Sequence, residues 1–147
     1  MSEVNTPMSD PGRIETASAV LRSDRGRFLF QLRDDIPNIL YPGLIGLFGG
    51  HLERGETPLQ AVCREVHEEV GIDVPPPAFS VLAECAVPVS GGGQLSETVF
   101  FAAGIPVQQT AITEGRLLLL DVDEIPMHLA GMTPITCCAA RLLMDRS

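Results

Sequence analysis

The sequence predicts an α/β domain in which helices sandwich a mixed β-sheet. Three observations lead there. Extended apolar runs stand before, between and after two stretches that carry helix-capping signals. The 147 residues suit a single domain. Hydrophobic residues make up 45% of the chain, enough for a core, while 14 Gly and 12 Pro supply many turns. No internal repeat or second domain is evident. Residues 1–14, rich in Ser, Pro, Asn and Asp early on, are expected to form a flexible tail ahead of a domain spanning 15–147.

Each element follows from local chemistry. Ala17 to Leu21 and Arg27 to Leu32 flank the turn-rich Ser23-Asp24-Arg25-Gly26, which predicts a β-hairpin. From Arg33 to Gly43 the run RDDIPNILYPG has two prolines and no periodicity, so it reads as a functional loop. A short strand, Leu44 to Phe48, then runs into Gly49-Gly50, where the chain is free to turn or to approach a ligand. The next helix has Thr57 as N-cap, Pro58 at its first position, Gln60 closing a capping box and Gly71 as stop. Phe79 to Val89 and Glu97 to Ala103 read as strands joined by a flexible Ser90-Gly91-Gly92-Gly93. The nearly continuous apolar run from Arg116 to Val122 predicts a strand buried on both faces. Thr133-Pro134 opens a last helix running to Leu143.

Composition excludes several classes of function. The formal net charge is −9, with an isoelectric point near 4.6. A phosphate-backbone binder carries the opposite balance, so neither a nucleic-acid polymer nor an anionic membrane is an expected partner. The first residues have no basic start followed by an apolar run, and no stretch approaches the roughly 20 apolar residues that cross a bilayer. A soluble, cytoplasmic protein is expected. Cys63, Cys85, Cys137 and Cys138 lack C-x-x-C spacing and read as buried, reduced thiols.

The capped helix carries the chemistry. At about 100° per residue, Leu59, Val62, Val66 and Val70 share an apolar side, and Glu65, Glu68 and Glu69 gather on another. Like charges at this spacing repel by a few tenths of a kcal/mol per pair, roughly. A solvated acidic face is the ordinary reading of such a helix. The glycine pair and Glu56 just ahead of it shift the balance, because carboxylates beside backbone carbonyls are the ligand set of Mg²⁺ or Mn²⁺. A bound cation would relieve the repulsion.

From Gly50 to Ile72 the chain reads GHLERGETPLQAVCREVHEEVGI, with Gly50, Glu56, Arg64-Glu65-Val66, Glu68-Glu69 and Gly71-Ile72 at fixed spacing. This resembles the signature of the Nudix hydrolases at every fixed position. The resemblance implies an α/β/α sandwich and metal-dependent hydrolysis, with Mg²⁺ or Mn²⁺, of a nucleoside diphosphate linked to another moiety. A nucleotide sugar, ADP-ribose or a dinucleotide would be such a substrate. It also implies Glu68, Glu69 and the Gly49 carbonyl as metal ligands, Glu65 as ligand or general base, and an Arg64–Glu56 ion pair in support. Family members often recruit a further acid from outside the signature. Glu114 is the choice here and Glu97 the competitor.

The chain departs from many relatives in having Ile45 and Phe48 where they carry Trp and Pro, and it has no Trp at all. Tyr41 and Phe48 are the nearby aromatics, Tyr41 a candidate ligand contact and Phe48 a core residue. Arg33, with Asp34 and Asp35, could contact sugar or phosphate. His51 and His67 read as surface residues and His128 as a loop histidine. Met127 to Pro134 lacks the Asn with which some oxidised-guanine triphosphatases read the base. Nucleoside triphosphate pyrophosphatase activity is the alternative within enzymes, and a nucleotide-binding regulatory module the alternative outside them. Oligomeric state is not legible.

Overall fold

The computed structural model describes residues 13–89 and 91–146. Strand β1 is Arg13–Ser23, β2 Phe28–Leu32, β3 Ile45–Gly46 and β4 Phe48–His51. Helix α1 follows at Pro58–Val70, then β5 at Ser80–Pro88 and β6 at Gln94–Ile105. Strand β7 is Arg116–Leu120, α2 is Ile125–His128 and α3 is Pro134–Asp145. The seven strands form one sheet with the path β3-β2-β1-β6-β5, to which β4 adds on β1 and β7 on β2. The β1–β6 pair is parallel and the others are antiparallel, so the sheet is mixed as expected.

The hairpin forms with Leu21 opposite Leu29. Its turn is closed by the Ser23 N–H to the Arg27 carbonyl at 2.7 Å, with Gly26 at φ 85°. Helix α1 has the expected ends. Thr57 Oγ1 accepts from the Gln60 N–H, the Gln60 side chain accepts from the Thr57 N–H, and Gly71 stops the helix at φ 78°. Its Ala61, Val62, Val66 and Val70 pack on Ala17, Ala19, Leu21, Leu29 and Phe48 of the sheet. Each fully buried Val contributes about 1.5–3 kcal/mol. Alternation along the strands sends Val20, Phe28, Phe30 and Val99 to the other face, where Ala139, Ala140 and Leu143 of α3 cover them. Thr133 caps α3 by accepting from the Thr136 N–H.

The structure differs from expectation at five places. Arg13 and Ile14 are not tail but the start of β1, opposite Gln94 and Leu95, while residues 1–12 lie outside the described residues. The expected strand at 44–48 is two strands, and the second runs straight through Gly49-Gly50 without turning. The last strand ends at Leu120 and among the described residues pairs only with β2, so as an edge strand it is half-buried over most of its length. Cys138 is exposed, the other cysteines are half-buried, and all four are free. The short α2 has no counterpart in the sequence reading, because four residues are too few to show periodicity. Of the glycine-rich spacer, Ser90 lies outside the described residues, and the Val89 N–H to the Gly93 carbonyl at 3.0 Å closes the turn. No helix among the described residues is long and apolar enough to cross a membrane.

Candidate active site

Strand β4 lies against β1 with Ala17 opposite Gly50 and Ser18 opposite Gly49. The Gly49 N–H turns away from β1 and donates to Glu69 Oε1 at 2.9 Å. In an antiparallel strand the C=O of a residue points to the same side as its N–H, so the Gly49 carbonyl also faces off this edge. The two glycines are required for closeness. A Cβ on Gly49 would collide with the Ala17 carbonyl oxygen and come within 2.5 Å of Ser18 Cα, and one on Gly50 would lie 2.6 Å from Glu65 Oε2. A backbone edge and two acids of α1, Glu65 and Glu69, are thereby brought together.

Arg64 organises the N-terminal half of this cluster. Its Nε and Nη2 donate to Glu56 at 2.7 and 2.9 Å, and its Nη1 to Glu65 at 3.0 Å and Glu68 at 3.4 Å. Nη2 also donates to the His51 carbonyl at 3.1 Å, and Glu53 lies 3.6 Å from Nε. Hydrogen bonding to Arg64, helped by the Glu53 N–H, holds the Glu56 carboxyl down at about 2. The Glu56 bond in turn drives the Arg64 pKa up.

Glu69 behaves oppositely. Burial, then the charge of Glu65 and further that of Glu114, push its carboxyl up to about 8, against the lowering effect of the Gly49 N–H. Glu114 is therefore a neighbour of the cluster, although it lies 45 residues along the chain from Glu69. The segment after Thr110 places it there by capping the end of α1. Ala111 N–H bonds the Val70 carbonyl at 2.7 Å, Thr113 N–H the Glu69 carbonyl at 3.1 Å, and Thr113 Oγ1 the Glu68 carbonyl at 3.2 Å. Gln31 Nε2 then donates to the Glu114 carbonyl at 3.1 Å. Gln31 and Thr113 escaped the sequence reading. The one available signal was a polar residue inside the apolar run Phe28–Leu32, and Gln31 is buried.

Glu97 stands apart, on β6 and on the α3 face, held by Thr16 and Ser18. Arg33 Nε is engaged with the Leu40 carbonyl at 2.8 Å and stiffens its own loop. Tyr41 is exposed at φ 54°. Among the described residues no hydrogen bond or ion pair joins either residue to the acids. Phe48 is fully buried in the core, His67 bonds exposed Asp73 at 2.7 Å, and His51 is exposed. Two surface cavities of about 350 and 310 Å³ lie elsewhere, one beside Gly71 and Gly104, the other beside Arg27 and Pro106.

Among the described residues no three His, Cys, Asp or Glu side chains already converge as a metal-binding group. The Arg64 guanidinium occupies the space between Glu56, Glu65 and Glu68 and serves there as the cation. The donors nonetheless suit a hard divalent ion: carboxylates of Glu65, Glu68 and Glu69 beside an outward carbonyl, over a cradle that a Cβ on Gly50 would fill.

The Glu69 shift has a measurable consequence. The folded carboxyl, at about 8, keeps a proton that the unfolded chain releases near its ordinary 4.5. Its contribution to stability is full below about 4.5 and is lost as pH rises to about 8. Thermal scans in EDTA are expected to show a falling Tm over that window, and saturating Mg²⁺ should shrink the fall. A flat profile from pH 5 to 8 would contradict the burial of this carboxylate.

A mixed sheet thus lies between helical layers, with an acid-bearing helix laid against a glycine edge. Residues 12–124 match the family model of the NUDIX domain. The chain belongs to the Nudix family. Among solved structures, the MutT protein from Methanosarcina mazei Go1 is similar at 20% identity and TM-score 0.73, covering 93% of this chain and 96% of that one. The MutT NUDIX hydrolase from Burkholderia pseudomallei is similar at 26% identity and TM-score 0.67, covering 88% and 97%. A 38-residue stretch is 47% identical to the NAD-capped RNA hydrolase NudC of Stutzerimonas stutzeri (strain A1501). That stretch is 26% of this chain and only 14% of that relative.

Proposed function

We propose that the protein hydrolyses a nucleoside diphosphate linked to another moiety, of the nucleotide-sugar, ADP-ribose or dinucleotide type, using Mg²⁺ or Mn²⁺. The observation that carries this reading is Glu69, bonded to the outward backbone of Gly49 and near enough to Glu65 and Glu114 to feel their charge. The stretch shared with an NAD-capped RNA hydrolase supports the dinucleotide side of that class. Glu68, Glu69, Glu65 and the Gly49 carbonyl would hold the cation. When bound, it neutralises the phosphate oxygens and lowers the pKa of the attacking water.

The chain supplies the rest. Glu65 and Glu114 are the carboxylates available to take the proton of the water as its oxygen attacks phosphorus. The bridging P–O bond breaks, and a nucleoside monophosphate leaves together with the phosphorylated other half. Arg64 and Glu56 position Glu65, and Arg33 and Tyr41 offer contacts to sugar or phosphate from the loop after β2. No covalent intermediate is required.

The test is a panel of nucleotide sugars, ADP-ribose, dinucleotides and normal and oxidised nucleoside triphosphates, scored by kcat/KM and product identity. Turnover of the linked diphosphates, with modest selectivity, is expected. A preference of about 10³-fold for one oxidised triphosphate, roughly 4 kcal/mol of transition-state discrimination, would establish the triphosphatase alternative instead. Cation-induced stabilisation without any turnover would indicate a binding module.

A further inference from the structure

The acids around Gly49 engage only the diphosphate, so recognition of the nucleoside belongs to another surface. Among the described residues strand β4 has no strand on its outer side, so a ligand at that edge can wrap onto the α3 face. On that face one cross-strand row leads inward from the edge. His51 is opposite Thr16, Thr16 opposite Glu97, and Glu97 opposite Cys85. Directly opposed residues project on the same side of a sheet. Two strand spacings, about 10 Å, separate β4 from β6, a gap that a nucleoside can bridge. Cys138 of α3 lies against Cys85 and walls the far end of the row.

Glu97 is the unusual member. Thr16 Oγ1 donates to its Oε1 at 2.9 Å and Ser18 Oγ donates to its Oε2. One hydroxyl on each oxygen fixes the plane of the carboxylate and leaves a lone pair free on both. Among the described residues it has no ion-pair partner. A rigid, half-buried and uncompensated carboxylate matches a ligand offering two adjacent N–H donors. Guanine does so, through its ring N1–H and its exocyclic amino group. Adenine and cytosine set an amino group beside an acceptor nitrogen, which would face a carboxylate lone pair. Uracil has one N–H between two carbonyls.

We propose that Glu97 is the specificity-determining residue for the nucleoside, pairing with the ring N–H and amino group of a guanine-type base. The proposal rests on the reading of the substrate as a nucleotide derivative, and its test separates the two. GDP-, ADP-, UDP- and CDP-glucose, together with GTP and ATP, are assayed with wild type and Glu97→Gln in Mg²⁺. Wild type is expected to favour the guanine member at least about 10-fold in whichever series it turns over. Glu97→Gln, which exchanges one acceptor for a donor, should lower kcat/KM for guanine members about 10–100-fold and for adenine members less than about 3-fold. Turnover of GTP without the glucose series would reject the linked-diphosphate reading, while the ratio of GTP to ATP would still decide the role of Glu97. A wild-type guanine-to-adenine ratio near one, equal losses for all bases in the variant, or no turnover in either series would overturn the proposal. The wild-type ratio needs no variant, so a Glu97→Gln protein that failed to fold would not remove the test.

Discussion

Glu68→Gln is expected to cut kcat/KM by at least about 10²-fold, and excess EDTA to abolish turnover by the wild type. The carboxylate is half-exposed, and its one ion-pair contact among the described residues is the 3.4 Å approach to Arg64. Removing its charge therefore costs the fold little, and a large kinetic effect would arise from the reaction itself. Equal thermal stability of the two proteins in EDTA is the control. Near-normal rates from the purified variant, or full activity in EDTA, would remove Glu68 from the proposed ligand set.

The second large effect is expected from Gly49→Ala. The atoms that a new Cβ would strike are the backbone of Ala17 and Ser18, which cannot swing aside as a side chain can. Strand β4 would have to lift from β1, and the Gly49 N–H would leave Glu69 with it. We expect a destabilisation of about 3 kcal/mol, equivalent to roughly 6–12 °C in Tm for a domain of this size, together with loss of activity. Gly55→Ala is the comparison, since nothing lies within 4 Å of its Cβ position and only its φ of 84° opposes the change. A Gly49→Ala protein melting within about 2 °C of wild type would show that the edge is plastic.

Much of this arrangement is legible in the sequence because it is local. The capping box at Thr57 and Gln60, the stop at Gly71 and the spacing of Arg64, Glu65, Glu68 and Glu69 all follow from residues within one or two helical turns of each other. The hairpin around Ser23 to Gly26 is legible for the same reason. What escaped is non-local. The path of β4 through its glycines depends on pairing with β1, some 30 positions earlier. The half-burial of β7 goes with its pairing, among the described residues, on the β2 side alone. Glu114 is a candidate acid in the sequence, but what brings it near Glu69 is the capping of α1 by Ala111 and Thr113 and the grip of Gln31. Those bonds cross 41 to 83 residues of sequence. Glu97 read as a rival acid for the same site. Only strand pairing shows that it projects from the other face of the sheet.

The Arg64 guanidinium keeps its proton at every pH at which the protein can fold. With Glu56 held near 2, the ion pair that ties Glu56 to α1 through Arg64 keeps both charges throughout the neutral range. One turn further on, Glu69 titrates within that range. A pH-insensitive ion pair thus stands beside a pH-responsive carboxyl. Proton competition for an incoming cation therefore acts at Glu69, in the end of α1 that the 111–113 strap holds, and moderate acid would weaken cation uptake while leaving the Arg64–Glu56 pair assembled.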